Sequence, residues 1–109
     1  MFDERKKFAD KQMIHAVFEL QFPGYGLTAC GERSQPDGSV LALFGVEIPK
    51  SDQTRYLLFR GNNSAYTLID DFVYSDATPI GEVGPSGDQF VYSTRQGGVK
   101  VVERKPSVK

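Results

Sequence analysis

The chain contains few of the residues that most often carry chemistry: one cysteine (Cys30), one histidine (His15) and no tryptophan in 109 residues. A single cysteine cannot form an intramolecular disulfide, which argues against a disulfide-framed secreted module. A structural zinc site needs about four cysteine or histidine ligands, more than the chain contains. We therefore expect a domain that folds without disulfides or zinc and that holds no metal or cofactor.

Long hydrophobic runs and a strong charge of one sign are also absent. No apolar run approaches the ~18 residues that would indicate a membrane span, and no apolar stretch of signal-peptide length follows the charged N-terminus. A net charge of −1 and a pI near 5.8 argue against a general binder of nucleic acid or anionic membrane. These features predict a soluble, cytoplasmic protein without a membrane partner.

The sequence does contain enough apolar residues for one globular domain over 1–109. Hydrophobic residues make up 39% of the chain, including eight Phe and five Tyr. Residues 2–12 are mostly charged and include a possible helix cap, Asp3, so they predict a short helix or arm that docks through Phe8. Residues 13–104 then form the predicted β domain, and 105–109 a frayed tail.

Alternating apolar and polar residues over 14–22 predict a half-buried strand, because side chains of a strand point alternately to its two faces. The loop 23–26 then closes a predicted hairpin with the strand 27–33. In that register Cys30 lies opposite Glu19, and apolar residues face apolar residues.

Further strands are separated by turn signals at Gln35–Ser39, Asn62–Asn63 and Gly97–Gly98. About seven or eight short strands with hairpin-length connections predict a mainly β (α+β) fold. We expect an antiparallel meander that forms a small barrel or sandwich after one short N-terminal helix. The predicted later strands are 40–48, 55–60, 65–69, 89–94 and 99–104.

The usual catalytic arrangements are disfavoured. In the predicted hairpin, His15 lies ~13 Å along the strand from the residue opposite Cys30, too far for a cysteine–histidine dyad. The glycines at 24, 26 and 31 do not precede a long helix, so they indicate turns and bulges rather than a nucleotide-binding loop. We therefore predict that the protein is not an enzyme.

The adjacent acids Asp70 and Asp71 do not predict an active site either. Neighbours in an extended strand point to opposite faces, so the two carboxylates cannot address one ion or substrate. A hairpin centred on Asn62–Asn63 places Arg55 opposite Asp70, which predicts a cross-strand ion pair. Asp71 then lies on the other face.

Charge is unevenly distributed along the second half of the chain. Residues 61–94 contain five acids and no Lys or Arg, whereas residues 95–109 contain five basic residues and one acid. This pattern indicates either separate acidic and basic surfaces, or two segments that neutralise one another when the strands pair.

We therefore predict a non-enzymatic protein-interaction module, of the kind that inhibitors, immunity proteins, antitoxins and accessory subunits represent. Carboxylates would steer a partner with a basic surface, and tyrosines would anchor it. Homodimerisation is left open. The predicted partner-binding residues form an acidic, tyrosine-bearing face: Tyr66, Asp71, Tyr74, Asp76 and Glu82.

The alternative is a small β-barrel that binds nucleic acid through its C-terminal basic strands. Basic side chains would contact phosphates, and Tyr92 would stack on a base. The basic residues of this hypothesis are Arg95, Lys100, Arg104 and Lys105. A small enzyme with its site in a barrel mouth is the third and weakest hypothesis.

Overall fold

The computed structural model describes residues 7–62, 65–84 and 89–103. This part of the chain forms eight β-strands and one α-helix. The predicted mainly β, antiparallel fold is confirmed. In chain order the elements are β1 (Lys7–Phe8), α1 (Lys11–Gln21), β2 (Gly26–Ser34), β3 (Val40–Glu47), β4 (Thr54–Gly61), β5 (Tyr66–Tyr74), β6 (Ala77–Val83), β7 (Gln89–Thr94) and β8 (Val99–Glu103).

The strands form two sheets. A five-stranded sheet has the order β1-β5-β4-β3-β2, and a three-stranded sheet has the order β6-β7-β8. Every pairing is antiparallel. Helix α1 covers one face of the larger sheet and the three-stranded sheet covers the other, so the described chain has three layers.

Two hydrophobic cores separate these layers. The helix-side core consists of Phe8, Ile14, Phe18, Ala42, Phe44, Val46, Leu57, Phe59 and Leu68. The sheet-side core consists of Leu41, Leu43, Tyr56, Leu58, Phe72, Ala77, Val83, Phe90 and Tyr92. Strands β3 and β4 contribute alternate residues to the two cores, as period-2 geometry requires. This confirms the prediction that the segment 40–48 contains a strand covered on both sides.

The prediction of a strand over 14–22 is wrong, because most of this segment belongs to helix α1. Ile14, Phe18 and Phe22 are spaced by four residues, which suits the apolar face of a strand and that of a helix equally well. The side chain of Leu20, apolar in the alternating pattern, is instead 83% exposed. Asp10 caps the helix by accepting a hydrogen bond from the Met13 N–H, 2.8 Å from Oδ1.

The helix predicted over 2–12 is therefore misplaced, since Lys7–Phe8 form a strand and the helix begins at Lys11. Asp3 lies outside the described residues. Phe8 does dock as predicted: it is fully buried, with its ring 5.8 Å from that of Phe59.

The predicted hairpin across the loop 23–26 is also wrong, because that loop connects α1 to β2. Strand β2 pairs instead with β3, so that Leu27 lies opposite Val46. The predicted turn at Gln35–Ser39 closes this β2–β3 hairpin. A β-bulge between Ala29 and Gly31 shifts the register, and Gly31 adopts a φ of 147° there.

The β4–β5 hairpin exists as predicted, but its register differs by two residues near the loop. Phe59 lies opposite Leu68, and Arg55 lies opposite Val73. Gly61 pairs with Tyr66 and the Asn62 N–H donates to the Ala65 carbonyl, so the hairpin is centred one residue later than predicted. A bulge beside Phe59 then shifts the pairing once more along the strands.

The β7–β8 hairpin is likewise confirmed with a different register. The Thr94 N–H donates to the Gly98 carbonyl, and Tyr92 lies opposite Lys100. A two-residue turn at Gly97–Gly98 would place Arg95 opposite Lys100, but the observed register separates these two like charges.

Candidate functional site: the outer face of the three-stranded sheet

The two sheets are joined through β6, whose backbone carbonyls accept hydrogen bonds from side chains of the larger sheet. Strand β6 lies at the edge of its sheet, so one side of its backbone has no partner strand within that sheet. The carbonyl groups on that side need hydrogen-bond donors from elsewhere. Four side chains supply them: Thr54 Oγ1 to Ala77 O (2.8 Å), the Tyr56 hydroxyl to Thr78 O, Cys30 Sγ to Pro79 O (2.8 Å) and Arg33 Nε to Val83 O (2.9 Å). The joint therefore combines apolar contact with polar side-chain bonds.

The approach of β6 to the larger sheet is close at Gly45. A Cβ atom at Gly45 would lie 2.7 Å from the Pro79 carbonyl oxygen, so only glycine fits at this crossing. Tyr56 is fully buried beside it, and burial raises the pKa of its hydroxyl well above the usual value. The neutral hydroxyl is thus available as a donor throughout the ordinary pH range.

Aromatic rings fill the sheet-side core around Tyr56. The Tyr56 and Phe90 rings are 4.6 Å apart, and the Tyr74 and Tyr92 rings stack at 5.2 Å with planes 13° apart. Tyr92 is only 3% exposed. It therefore cannot stack on a nucleic-acid base as the alternative hypothesis required, because its ring already packs inside the protein.

The opposite face of the three-stranded sheet, here called the outer face, points away from this core. Phe90 and Tyr92 belong to the core, so Val91 between them points outward, and its partners across the strands do the same. The outer face consists of Ile80, Glu82, Val91, Ser93, Val99 and Val101. Ile80, Val99 and Val101 are 64%, 69% and 61% exposed, so this face presents aliphatic side chains to solvent.

A groove of about 430 Å³ borders the outer face. One side is lined by outer-face residues, including Ile80 and Val99, and the other by the segment 30–33 of β2. Arg33 crosses the groove to Glu82, with 3.1 Å between Nη2 and Oε1. Strand β2 is an edge strand, so the groove has an aliphatic side and a side that includes sheet-edge backbone.

The two adjacent acids have different roles. Asp71 forms a bidentate ion pair with Arg55, with distances of 2.6 Å from Nε and 2.7 Å from Nη2. The predicted Arg55–Asp70 pair is therefore wrong, because the bulge shifts the register between β4 and β5. Asp70 is 4% exposed, and one of its oxygens accepts the Asp71 N–H. The two carboxylates point to opposite faces as predicted, since they lie opposite Leu57 and Leu58, which belong to different cores.

The predicted acidic, tyrosine-bearing face is not one surface. Tyr66 and Tyr74 lie at opposite ends of β5, roughly 26 Å apart at ~3.3 Å per residue. Tyr66 packs on the helix-side core and donates to Glu32, whereas Tyr74 packs on the sheet-side core. Asp76 has a φ of 51° at the β5–β6 turn, and its carbonyl accepts the Arg95 N–H. Of the five predicted residues, Glu82 alone belongs to the outer face.

Neutralisation of the acidic segment by the C-terminal basic segment is one of the two alternatives that the charge pattern left open, and the ion pairs among the described residues do not show it. Asp71 and Glu82 pair with Arg55 on β4 and Arg33 on β2. Among the predicted nucleic-acid ligands, the Arg95 guanidinium donates to the Asp52 carbonyl, and Lys100 is exposed on β8. Arg104 and Lys105 lie outside the described residues. Nucleic-acid binding stays a prediction from sequence.

His15 and Cys30 lie on opposite sides of the larger sheet. His15 is exposed on α1, with Nδ1 3.2 Å from Glu19 Oε1. Cys30 packs against the sheet-side core, and burial raises the pKa of its thiol. The predicted opposition of Cys30 and Glu19 is wrong, because Glu19 lies on the helix. Within residues 7–62, 65–84 and 89–103, no three His, Cys, Asp or Glu side chains cluster as metal ligands.

Comparisons with known proteins give no match: no protein family, no curated protein and no solved structure is significantly similar to this chain. Among the described residues, no helix has the length and apolar character needed to cross a lipid bilayer. The exposed aliphatic outer face is the feature that reasoning from sequence missed. The alternation around Val99 and Val101 signals it, but only the strand register shows which side faces solvent.

Proposed function

We propose that the protein is a non-enzymatic interaction module that binds another protein through the outer face. The main evidence is that Ile80, Val99 and Val101 are 64%, 69% and 61% exposed on one face of a small sheet. Solvent-exposed aliphatic residues that share a face are typical of protein-binding surfaces. The functional class is the one predicted from sequence, but the surface is a different one.

The energetics favour a partner with an apolar contact surface. Covering these three side chains would contribute about 1–2 kcal/mol each, in proportion to their exposed fractions. Glu82 is already paired with Arg33 at 3.1 Å, which reduces its attraction for a strongly basic partner. Apolar contact is therefore expected to supply most of the affinity, with Glu82 and Arg33 at the rim providing orientation.

The edge strand β8 adds a second means of recognition. Strand β8 pairs with β7 on one side, and no other described strand pairs with it. An extended segment of a partner can add to such an edge through backbone hydrogen bonds, while its side chains contact the outer face. Val99 and Val101 lie where both contacts meet.

A site-specific photo-crosslinker tests this proposal. We expect a crosslinker at Val101 of the full chain to yield a discrete protein adduct in cells of the source organism. A crosslinker at Glu19, which is exposed on the helix at the far side of the molecule, is the matched control and should not give that adduct. An adduct of twice the chain's mass would identify the partner as a second copy.

Substitution of outer-face residues provides a second test of the same proposal. The double variant Val99→Glu and Val101→Glu places charge on the outer face and is expected to abolish the adduct formed from a crosslinker at Ile80. Both positions are exposed, so the variant should retain the circular dichroism spectrum and unfolding midpoint of the unchanged protein. Retention of the adduct by a folded double variant would contradict the proposal.

A further inference from the structure

The helix-side layer contains an aromatic pocket that is separate from the outer face. It has a volume of about 150 Å³ and lies between the C-terminal end of α1 and the strands β3 and β4. Six apolar or aromatic side chains and one guanidinium line it: Phe18, Phe22, Tyr25, Val46, Ile48, Leu57 and Arg55. The pocket opens to solvent on one side, since Tyr25 is 41% exposed and Phe22 and Ile48 are half-buried.

The volume suits one six-membered ring. An enclosed, engineered apolar cavity of ~150 Å³ binds benzene, so a pocket of this volume has room for one such ring. Three aromatic residues form one wall here, with ring centroids 5.2 Å apart for Phe18 and Phe22, and 5.8 Å apart for Phe22 and Tyr25. A further ring in the pocket would continue this series at the spacing that aromatic pairs prefer.

The charge at the pocket favours a neutral ligand. Arg55 is the one charged residue in the lining, and its Nε and Nη2 atoms are held by Asp71 at 2.6 and 2.7 Å. A carboxylate ligand would have to compete with Asp71 for the guanidinium. An aromatic ring would instead lie against the guanidinium without breaking this pair.

We propose that this pocket binds a neutral, monocyclic aromatic molecule. The inference is independent of the proposed partner surface, because the outer face and the pocket lie on opposite sides of the five-stranded sheet. Binding should place the ring against Phe22 and Leu57 and leave the Arg55–Asp71 pair intact.

Titration with benzene and phenol, followed by NMR of the methyl groups, tests the proposal. The Val46 and Leu57 methyl resonances should shift and saturate, with Kd on the order of millimolar for so small a ligand. Val99 and Val101 methyl resonances, which report on the distant outer face, should stay unchanged. Benzoate should bind about tenfold more weakly than benzene because of Asp71.

A matched pair of substitutions locates the ligand. Ile48→Phe adds volume inside the pocket and should weaken benzene binding about tenfold, whereas Ile80→Phe makes the same change on the outer face and should not. Ile48 lies outside the fully buried core, so the variant is expected to fold, and Tyr25→Ala provides a second variant that removes one wall. Equal benzene binding by Ile48→Phe, or cyclohexane binding as tightly as benzene, would overturn the proposal.

Discussion

The two faces of the five-stranded sheet are covered in different ways. On one face, α1 packs through Ile14 and Phe18 against apolar side chains of the sheet. On the other, β6 crosses the sheet, and four side chains donate hydrogen bonds to its backbone carbonyls. The helix side leaves an aromatic pocket of about 150 Å³, and the sheet side is filled with aromatic rings around Tyr56 but leaves the groove of about 430 Å³ beside β2.

The difference follows from how each element satisfies its backbone. A helix pairs its own N–H and C=O groups along its length, so it can cover a sheet with apolar side chains alone. A strand at the edge of another sheet has backbone carbonyls, and burying these without hydrogen-bond donors destabilises the fold. The sheet-side joint therefore needs Tyr56, Thr54, Cys30 and Arg33, and the helix side needs no such set.

We expect the largest effect from truncating an aromatic side chain in the sheet-side core. Phe90→Ala should lower the free energy of unfolding by about 3–5 kcal/mol, because Phe90 is fully buried and contacts several rings. Ile14→Ala makes the equivalent change on the helix side, and we expect a smaller loss, about 2–3 kcal/mol. Urea unfolding followed by circular dichroism measures both, and a larger loss for Ile14→Ala would reverse the comparison.

Removal of one hydroxyl tests the polar part of the joint. Tyr56→Phe leaves the Thr78 carbonyl without its donor and should cost about 1–3 kcal/mol. It should also speed the reaction of Cys30 with thiol reagents, because the neighbouring bond from Cys30 to Pro79 opens more often. Tyr25→Phe, on the exposed helix side, is the matched control and should change stability by less than about 0.5 kcal/mol. Equal effects of the two variants would show that the hydroxyl of Tyr56 does not stabilise the joint.

Loss of the helix cap tests how far α1 depends on local signals. Asp10→Ala removes the acceptor of the Met13 N–H and should cost about 1 kcal/mol, with a reduced helical signal in far-UV circular dichroism. Asp52→Ala is the control, because Asp52 is exposed and its bond to Arg95 uses the backbone carbonyl. An equal loss for Asp52→Ala would argue against a specific capping effect.

The smallest expected effect is a pH dependence at the edge of the helix side. Hydrogen bonding from Lys11 holds the pKa of Glu32 below its usual value. The folded state therefore binds protons less readily, so this contribution is complete above the unfolded-state pKa of ~4.3 and is lost as pH falls through the lower folded pKa. The pair is partly exposed, so it is worth at most about 1 kcal/mol.

Acid titration of stability measures this contribution. Glu32→Gln should flatten the fall in unfolding free energy below the ordinary pKa of glutamate. Lys11→Met should flatten it too, and the double variant should add little to either change. Additive effects of the two substitutions would mean that the residues act independently.

Local patterns predicted the strand-rich part of the fold well and the helix poorly. The turn at Gln35–Ser39 and the burial of the segment 40–48 are local consequences of turn chemistry and composition. The prediction for 14–22 failed because apolar residues spaced four apart fit both the two-residue period of a strand and the 3.6-residue period of a helix. The predicted hairpin registers were wrong where a bulge or a longer loop occurs, and the predicted Arg55–Asp70 pair was wrong for the same reason.

The sequence by itself determined the class of fold, the antiparallel hairpins and the opposite orientation of Asp70 and Asp71, because these depend on residues that are neighbours along the chain. Tertiary structure decided that 14–22 is a helix, that Asp71 pairs with Arg55, and that Tyr74 and Tyr92 are core residues. It also decided that Ile80, Val99 and Val101 share an exposed face. Each of these depends on the packing of distant segments, and no local pattern specifies which face of a sheet a second layer will cover.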